Sequence, residues 1–271
     1  MLTSIHFISG LPRSGSTLLS ALLRQNPRFS AGVTSPMAAF CGILHQRMCL
    51  SEFSVFFDED RRASMLRGLL ESYYRHLPPD RVVFDTSRAW TGRMPLLALL
   101  YPGSRVICCV REVGWILDSI ERLRAKNPLH LSKMFTSQSS ATVYTRAEAL
   151  MNSEKGLIGA PWSTLREAWF AEEAKRLIVI PYESLVRKPQ RTLRRLYEEL
   201  GEAPFEHDFE RVHYEEPDYD EQLGMPGLHT VRPVVRHEER TPRIPPDLFV
   251  KYTNTNFWVH EELNTRRVTV L

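Results

Sequence analysis

Short apolar runs rich in β-branched residues alternate along this chain with longer stretches whose apolar positions recur every third or fourth residue, the pattern of parallel strands joined by covering helices. The first run, Ser4 to Ser9, leads into a helix beginning near Ser14. A short extended piece at Phe29 to Gly32 precedes mostly helical sequence from Met37 to Leu77. Arg81 to Asp85 reads as a third strand with its helix at Arg88 to Leu100, and Arg105 to Val110 as a fourth with a helix reaching Arg124. After a helical stretch at Trp162 to Lys175, Leu177 to Ile180 forms a fifth strand. The next helix runs from Pro189 to Leu200 and stops at Gly201. The expectation is a three-layer α/β fold around a central parallel sheet of about five strands.

Two regions break this rhythm. Residues 126–160 are polar, rich in Ser and Thr and weakly periodic, and read as a mobile insertion or lid. Residues 202–246 carry many prolines and acidic side chains and then Arg232, Arg236, Arg240 and Arg243. They read as a long surface excursion presenting either a solvated basic face or cations to an anion. The 271 residues suffice for one large α/β domain or two small ones, and one domain spanning 1–271 is expected.

Composition changes this picture little. An apolar content of 43% with 25% charged residues is ordinary for a globular protein, and a net charge of +3 is too weak to argue for nucleic acid. No apolar stretch is long enough to span a bilayer. The first strand pattern opens too soon after Met1 for a signal peptide. Cys41, Cys49, Cys108 and Cys109 lack CxxC spacing, and the adjacent pair lies in an apolar run with side chains on opposite faces. Buried thiols of a reducing compartment fit that placement, so the cytoplasm is the expected location.

The chemistry begins at Gly10-Leu11-Pro12-Arg13-Ser14-Gly15-Ser16-Thr17, between the first strand and its helix. The spacing is that of a phosphate-binding loop, in which backbone N–H groups cradle phosphates and a Lys before the final Ser/Thr reaches the outer oxygens. Here Ser16 stands at the Lys position and Arg13 is the loop's cation, which points away from triphosphates. Gly10 and Gly15 let the backbone approach an anion. Ser14, Ser16 and Thr17 add hydroxyl donors at a helix N-terminus whose dipole favours negative charge. A capped strand-to-helix turn is the plainer alternative. Arg111 ends the fourth strand, and Ser119, eight positions on, returns to the same side of the following helix after a little over two turns. Together the two elements suit a ligand with two separated phosphate-like groups.

The run from Leu11 to Leu19 resembles the 5′-phosphosulfate loop of sulfotransferases that use 3′-phosphoadenosine 5′-phosphosulfate (PAPS). Arg111 to Ser119 is similar to that family's 3′-phosphate motif, Val179 to Leu185 to its strand bearing a nucleotide-contacting Tyr, and Gly227 to Arg232 to its late phosphate-binding segment. The resemblance implies a P-loop-type nucleotide-binding fold and transfer of the sulfuryl group from PAPS to a hydroxyl by in-line displacement, releasing adenosine 3′,5′-bisphosphate, with no metal required. It assigns Arg13, Ser14, Gly15, Ser16, Thr17 and Leu18 to the phosphosulfate, Arg111 and Ser119 with His229 and Arg232 to the 3′-phosphate end, and Tyr182 to the nucleotide. The Pro-Arg-Ser-Gly form looks closer to the tyrosylprotein and bacterial branches than to the cytosolic small-molecule branch. Arg13 would meet charge on the sulfuryl group and bridging oxygen without donating a proton.

The base departs from the family. Gln25-Asn26-Pro27 is followed by Gly32-Val33-Thr34-Ser35, without the tyrosylprotein branch's glutamate, and Asp85-Thr86-Ser87-Arg88 lacks the cytosolic branch's His. Asp85 is the first candidate for general base, Arg88 for orienting the acceptor or Asp85, and His229 the reserve. Phe53, Phe56, Phe57, Tyr73, Tyr74, Phe135, Tyr144 and Trp162 either line an acceptor pocket or pack in the core. The acceptor is a small molecule, a saccharide or a peptide, with no nucleic acid partner expected. Two other readings stay open: a sulfotransferase-like domain without turnover, and a P-loop kinase using Val82 to Asp85 as its Mg²⁺ strand.

Overall fold

The computed structural model of the chain describes residues 4–127, 129 and 141–271. Six strands form one sheet in the order β2-β3-β1-β4-β5-β6, with every pairing parallel. They are β1 (Ser4–Gly10), β2 (Phe29–Ala31), β3 (Val82–Thr86), β4 (Val106–Val110), β5 (Leu177–Pro181) and β6 (Thr269–Val270). The helices in chain order are α1 (Ser16–Leu23), α2 (Met37–Leu50), α3 (Glu59–Tyr73), α4 (Met94–Leu100), α5 (Val113–Lys126), α6 (Val143–Leu150), α7 (Gly159–Phe170), α8 (Tyr182–Arg187), α9 (Pro189–Leu200), α10 (Pro217–Gln222) and α11 (Pro246–Tyr252). Arg88–Arg93 forms a 3₁₀ turn where the sequence predicts the start of an α-helix, and the α-helix begins only at Met94.

Both faces of the sheet are covered, which is why its strands read as continuous apolar runs rather than alternating ones. Consecutive strand residues enter different layers. Phe7, Val83, Cys108 and Val179 pack in one core with Trp90 and Trp169, whereas Ile8, Phe84, Cys109 and Ile180 pack in the other with Leu22 and Tyr197. Cys108 and Cys109 are accordingly buried free thiols in opposite layers. The sixth strand escapes the sequence reading because two residues carry no run; Leu271 N–H nevertheless bonds the Val179 carbonyl at 3.0 Å and seals the sheet edge. Gly201 ends α9 in the left-handed conformation, φ 71°, as its position after Leu200 predicts.

Of the expected insertion at 126–160, residues 128 and 130–140, including Phe135, lie outside the described residues. Within the same span α6 starts from a capping box at Thr142 and Thr145. No helix among the described residues is long and apolar enough to cross a membrane.

The connections after β1 and β4 leave toward opposite edges, and these strands are neighbours. A crevice therefore opens at their carboxyl ends, where α/β sheets bind ligands. The irregular segment after Gly201 crosses that edge, tied to itself by Val231 N–H to the Tyr214 carbonyl and Val212 N–H to the Pro233 carbonyl, and forms the crevice's far wall.

Candidate functional site

A cavity of about 1220 Å³ occupies this crevice. Its floor is the loop after β1. Gly10 takes φ 109°, and a Cβ there would lie 2.2 Å from the Cys109 carbonyl oxygen, so only glycine lets the loop leave the sheet this close to β4. Gly15, φ 94°, precedes α1, and no side chain caps that helix. The first N–H groups of α1 lack intrahelical partners and suit an anion. Ser16, Thr17 and Leu18 line the cavity. Ser14 does not: it is fully buried, and its hydroxyl donates to the Pro12 carbonyl at 3.3 Å, so it braces the loop rather than offering a donor to the cavity.

Arg111 is buried at the end of β4, with its guanidinium 4.2 Å above the Tyr182 ring. One Nη1–H reaches the Arg13 carbonyl at 3.5 Å, and its Nε has no hydrogen-bond partner. Arg13 holds a left-handed backbone, φ 56°, and its Nε donates to Ser119 Oγ at 3.2 Å while Nη1 donates to the Leu228 carbonyl. The residues assigned to opposite ends of the donor, Arg13 and Ser119, thus touch. Burial lowers the pKa of both arginines; the charge of Arg111 adds to this at Arg13, and that of Arg240 at both. Among the described residues neither makes an ion pair, so this desolvated positive charge is complementary to an anion. Arg232 also lines the cavity, with its charge met by Glu238.

His229 lies on the far wall. The nearly inaccessible Asp220 accepts from the His229 N–H at 2.8 Å and contacts Nδ1 at 2.5 Å. An ionised Asp at Nδ1 holds the proton there, which leaves the Nε2 lone pair as acceptor. Burial lowers the His229 pKa, Asp220 opposes that, and Arg13 and Arg88 lower it further. Arg88, first residue of the turn after β3, also lines the cavity.

Asp85 is not part of this wall. It is fully buried, and its carboxylate accepts from Ser35 Oγ at 2.6 and 2.8 Å, Tyr74 Oη at 2.6 Å and Trp90 Nε1 at 2.6 Å. With its lone pairs turned toward β3's neighbours, it ties α3 and the turn after β3 to the strand end and has no path to an acceptor hydroxyl. Asp85→Ala is expected to lower the unfolding free energy by about 3 kcal/mol or more, because hydrogen bonds to a charged group contribute ~1.5–3 kcal/mol each. Urea denaturation reads this, and an unshifted midpoint would show the network to be dispensable.

The aromatic residues read as either pocket lining or core divide differently. Phe53, Phe56, Tyr73 and Tyr144 are exposed away from the cavity, and Trp162 packs against Phe257. Trp115, Tyr219 and Trp258 line it instead. Of these, Trp115 had a visible signal, standing four residues after Arg111 on the helix that carries Ser119. Asp220 has none, since it lies on the short helix α10 and the chain between it and His229 carries no periodic pattern.

The sequence matches a model of the sulfotransferase family over residues 6–207. The fold is similar to that of the sulfotransferase domain from the curacin biosynthetic pathway, at 18% identity and a TM-score of 0.53 over 97% of this chain and 98% of that one. It is similar to the sulfotransferase domain from the Synechococcus PCC 7002 olefin synthase, at 17% and 0.51 over 96% and 95%. The sulfotransferase from Alicyclobacillus acidocaldarius matches at 18% and 0.51 over 82% and 90%. At these identities the likeness is one of fold.

Proposed function

The chain belongs to the sulfotransferase family, and from that premise we propose that it moves a sulfuryl group from PAPS to an acceptor hydroxyl and releases adenosine 3′,5′-bisphosphate. The observation that carries the reading is Arg111: a buried, unpaired guanidinium with a partnerless Nε, stacked on Tyr182 and set beside the uncapped start of α1. A phosphate there would complete its hydrogen bonding, and a phosphosulfate would extend over Gly15 to Leu18.

Arg13 exchanges its bonds to Ser119 and Leu228 for the phosphosulfate oxygens in this reading, and Ser119 then turns to the 3′-phosphate. His229 Nε2 takes the proton of the acceptor hydroxyl as its oxygen bonds to sulfur. The bond from sulfur to the bridging oxygen breaks, and Arg13 with the loop amides meets the charge left on the departing phosphate. His229, not Asp85, is the base because it faces the cavity while Asp85 is enclosed. A cytoplasmic location belongs to the same reading, supported by four free cysteines.

Arg111→Ala is expected to weaken binding of adenosine 3′,5′-bisphosphate by about 2–3 kcal/mol, roughly 30- to 150-fold. Calorimetry without Mg²⁺ measures it, and an unchanged affinity would remove Arg111 from the site. The kinase reading would instead require Mg²⁺-dependent ATP binding, for which Asp85 is badly placed. Transfer of radiolabelled sulfate from PAPS to a panel of hydroxyl acceptors separates an enzyme from a domain that only binds the nucleotide.

A further inference from the structure

We propose that the acceptor is an anion: it carries a carboxylate, phosphate or sulfate group close to the hydroxyl that receives the sulfuryl group, and Arg88 binds that charge. The inference rests on the sulfotransfer reading above and extends it to the class of substrate.

Sheet order separates the two halves of the cavity. β1 and its loop lie between β4 and β3, whose ends are about 10 Å apart at the usual strand spacing. Arg111, Ser119 and Tyr182, proposed to hold the donor, follow β4 and β5 on one flank. Arg88 follows β3 on the other flank, and its charge acts on His229, the proposed base. The acceptor must reach the sulfur from the side of its base, which places it against Arg88.

Arg88 is built into this position. Ser9 Oγ, on β1, donates to its carbonyl at 3.0 Å, and Trp90 N–H closes the turn onto Ser87. Its side chain is open to the cavity interior, and among the described residues it forms no ion pair. Among the other cations lining the cavity, Arg232 and Arg236 meet Glu238 and Arg187 the ring of His237, while Arg240, without an ion pair among the described residues, acts on Arg13 and Arg111 at the donor end. Arg88 is exposed to the cavity, so a neutral acceptor seated against it would withdraw its charge from water without compensation. An anionic acceptor compensates it, and a planar guanidinium matches carboxylate, phosphate and sulfate geometry alike. The donor's own charge is met by Arg13 and Arg111 on the loop and the β4 flank.

The test uses PAPS-saturated protein, so that the sulfuryl subsite is filled, and probes that have no hydroxyl to be sulfated. Calorimetric titration with PAPS comes first. Benzoate and phenyl phosphate are then titrated against benzamide. The expected result is at least tenfold tighter binding of both anions than of benzamide. Arg88→Gln should abolish this preference and Arg88→Lys retain part of it, with PAPS affinity and melting temperature unchanged in both variants. Equal binding of benzamide by the unmodified protein overturns the proposal, as does a preference that survives Arg88→Gln. A tenfold loss of PAPS affinity in Arg88→Gln would move Arg88 to the donor and also overturn it. If PAPS itself does not bind, the sulfotransfer reading fails at the first step and the anionic acceptor falls with it.

Discussion

Arg13→Asn is expected to lower kcat by about 10²- to 10³-fold, the loss typical when one group that stabilises transition-state charge is removed. Asparagine is the informative replacement because Arg13 sits at φ 56°, a conformation Asn tolerates better than Ala or any branched residue. The variant removes the guanidinium without adding backbone strain, so a lower rate reports lost charge. Arg13→Lys should recover part of the rate, since an ammonium supplies the charge but not the planar fork. The assay is initial-rate transfer of radiolabelled sulfate, paired with calorimetry for adenosine 3′,5′-bisphosphate. A variant within tenfold of the unmodified rate would show that Arg13 only bridges Ser119 and Leu228.

His229→Gln should lower kcat by about 10²- to 10⁴-fold, the range for a positioned general base. Its pH signature is as specific as its size. Burial is the first cause of the lowered His229 pKa, and a base works in its neutral form. Activity is therefore full above the folded-state pKa and falls as pH drops through it, so the acid limb lies below the ordinary histidine value of about 6.5. Asp220 is the group that raises this pKa, while Arg13 and Arg88 lower it. Asp220→Asn should accordingly shift the limb to still lower pH and reduce kcat as well, because Nδ1 loses its ionised acceptor. In His229→Gln the limb should vanish. A limb that persists there belongs to another group, and His229 would not be the base.

Most of the sheet is legible in the chain because β1, β3, β4 and β5 are buried on both faces and must be apolar throughout. The loop is legible for a related reason. Gly10 and Gly15 both adopt positive φ, and at Gly10 the sheet leaves no room for a Cβ. Ser119 is legible from chain order, since it stands a little over two turns on from Arg111, in the helix that follows β4 and so at the same end of the sheet.

The proposed base is not legible in the sequence. Asp85 at a strand end has the same sequence appearance whether it faces a cavity or a core, and what distinguishes the two is Tyr74, Ser35 and Trp90, which converge from three connections. His229 looks like a solitary histidine until the fold sets Asp220 against its Nδ1.

Layer architecture and the glycine-framed loop after β1 are written into the chain, because periodicity, glycine placement and strand-to-helix order are local properties. Which charged groups find partners depends on the folded chain. Burial and pairing depend on residues brought together across distant segments, so a carboxylate enclosed by three donors and an arginine left without a counter-charge look alike until the chain is folded.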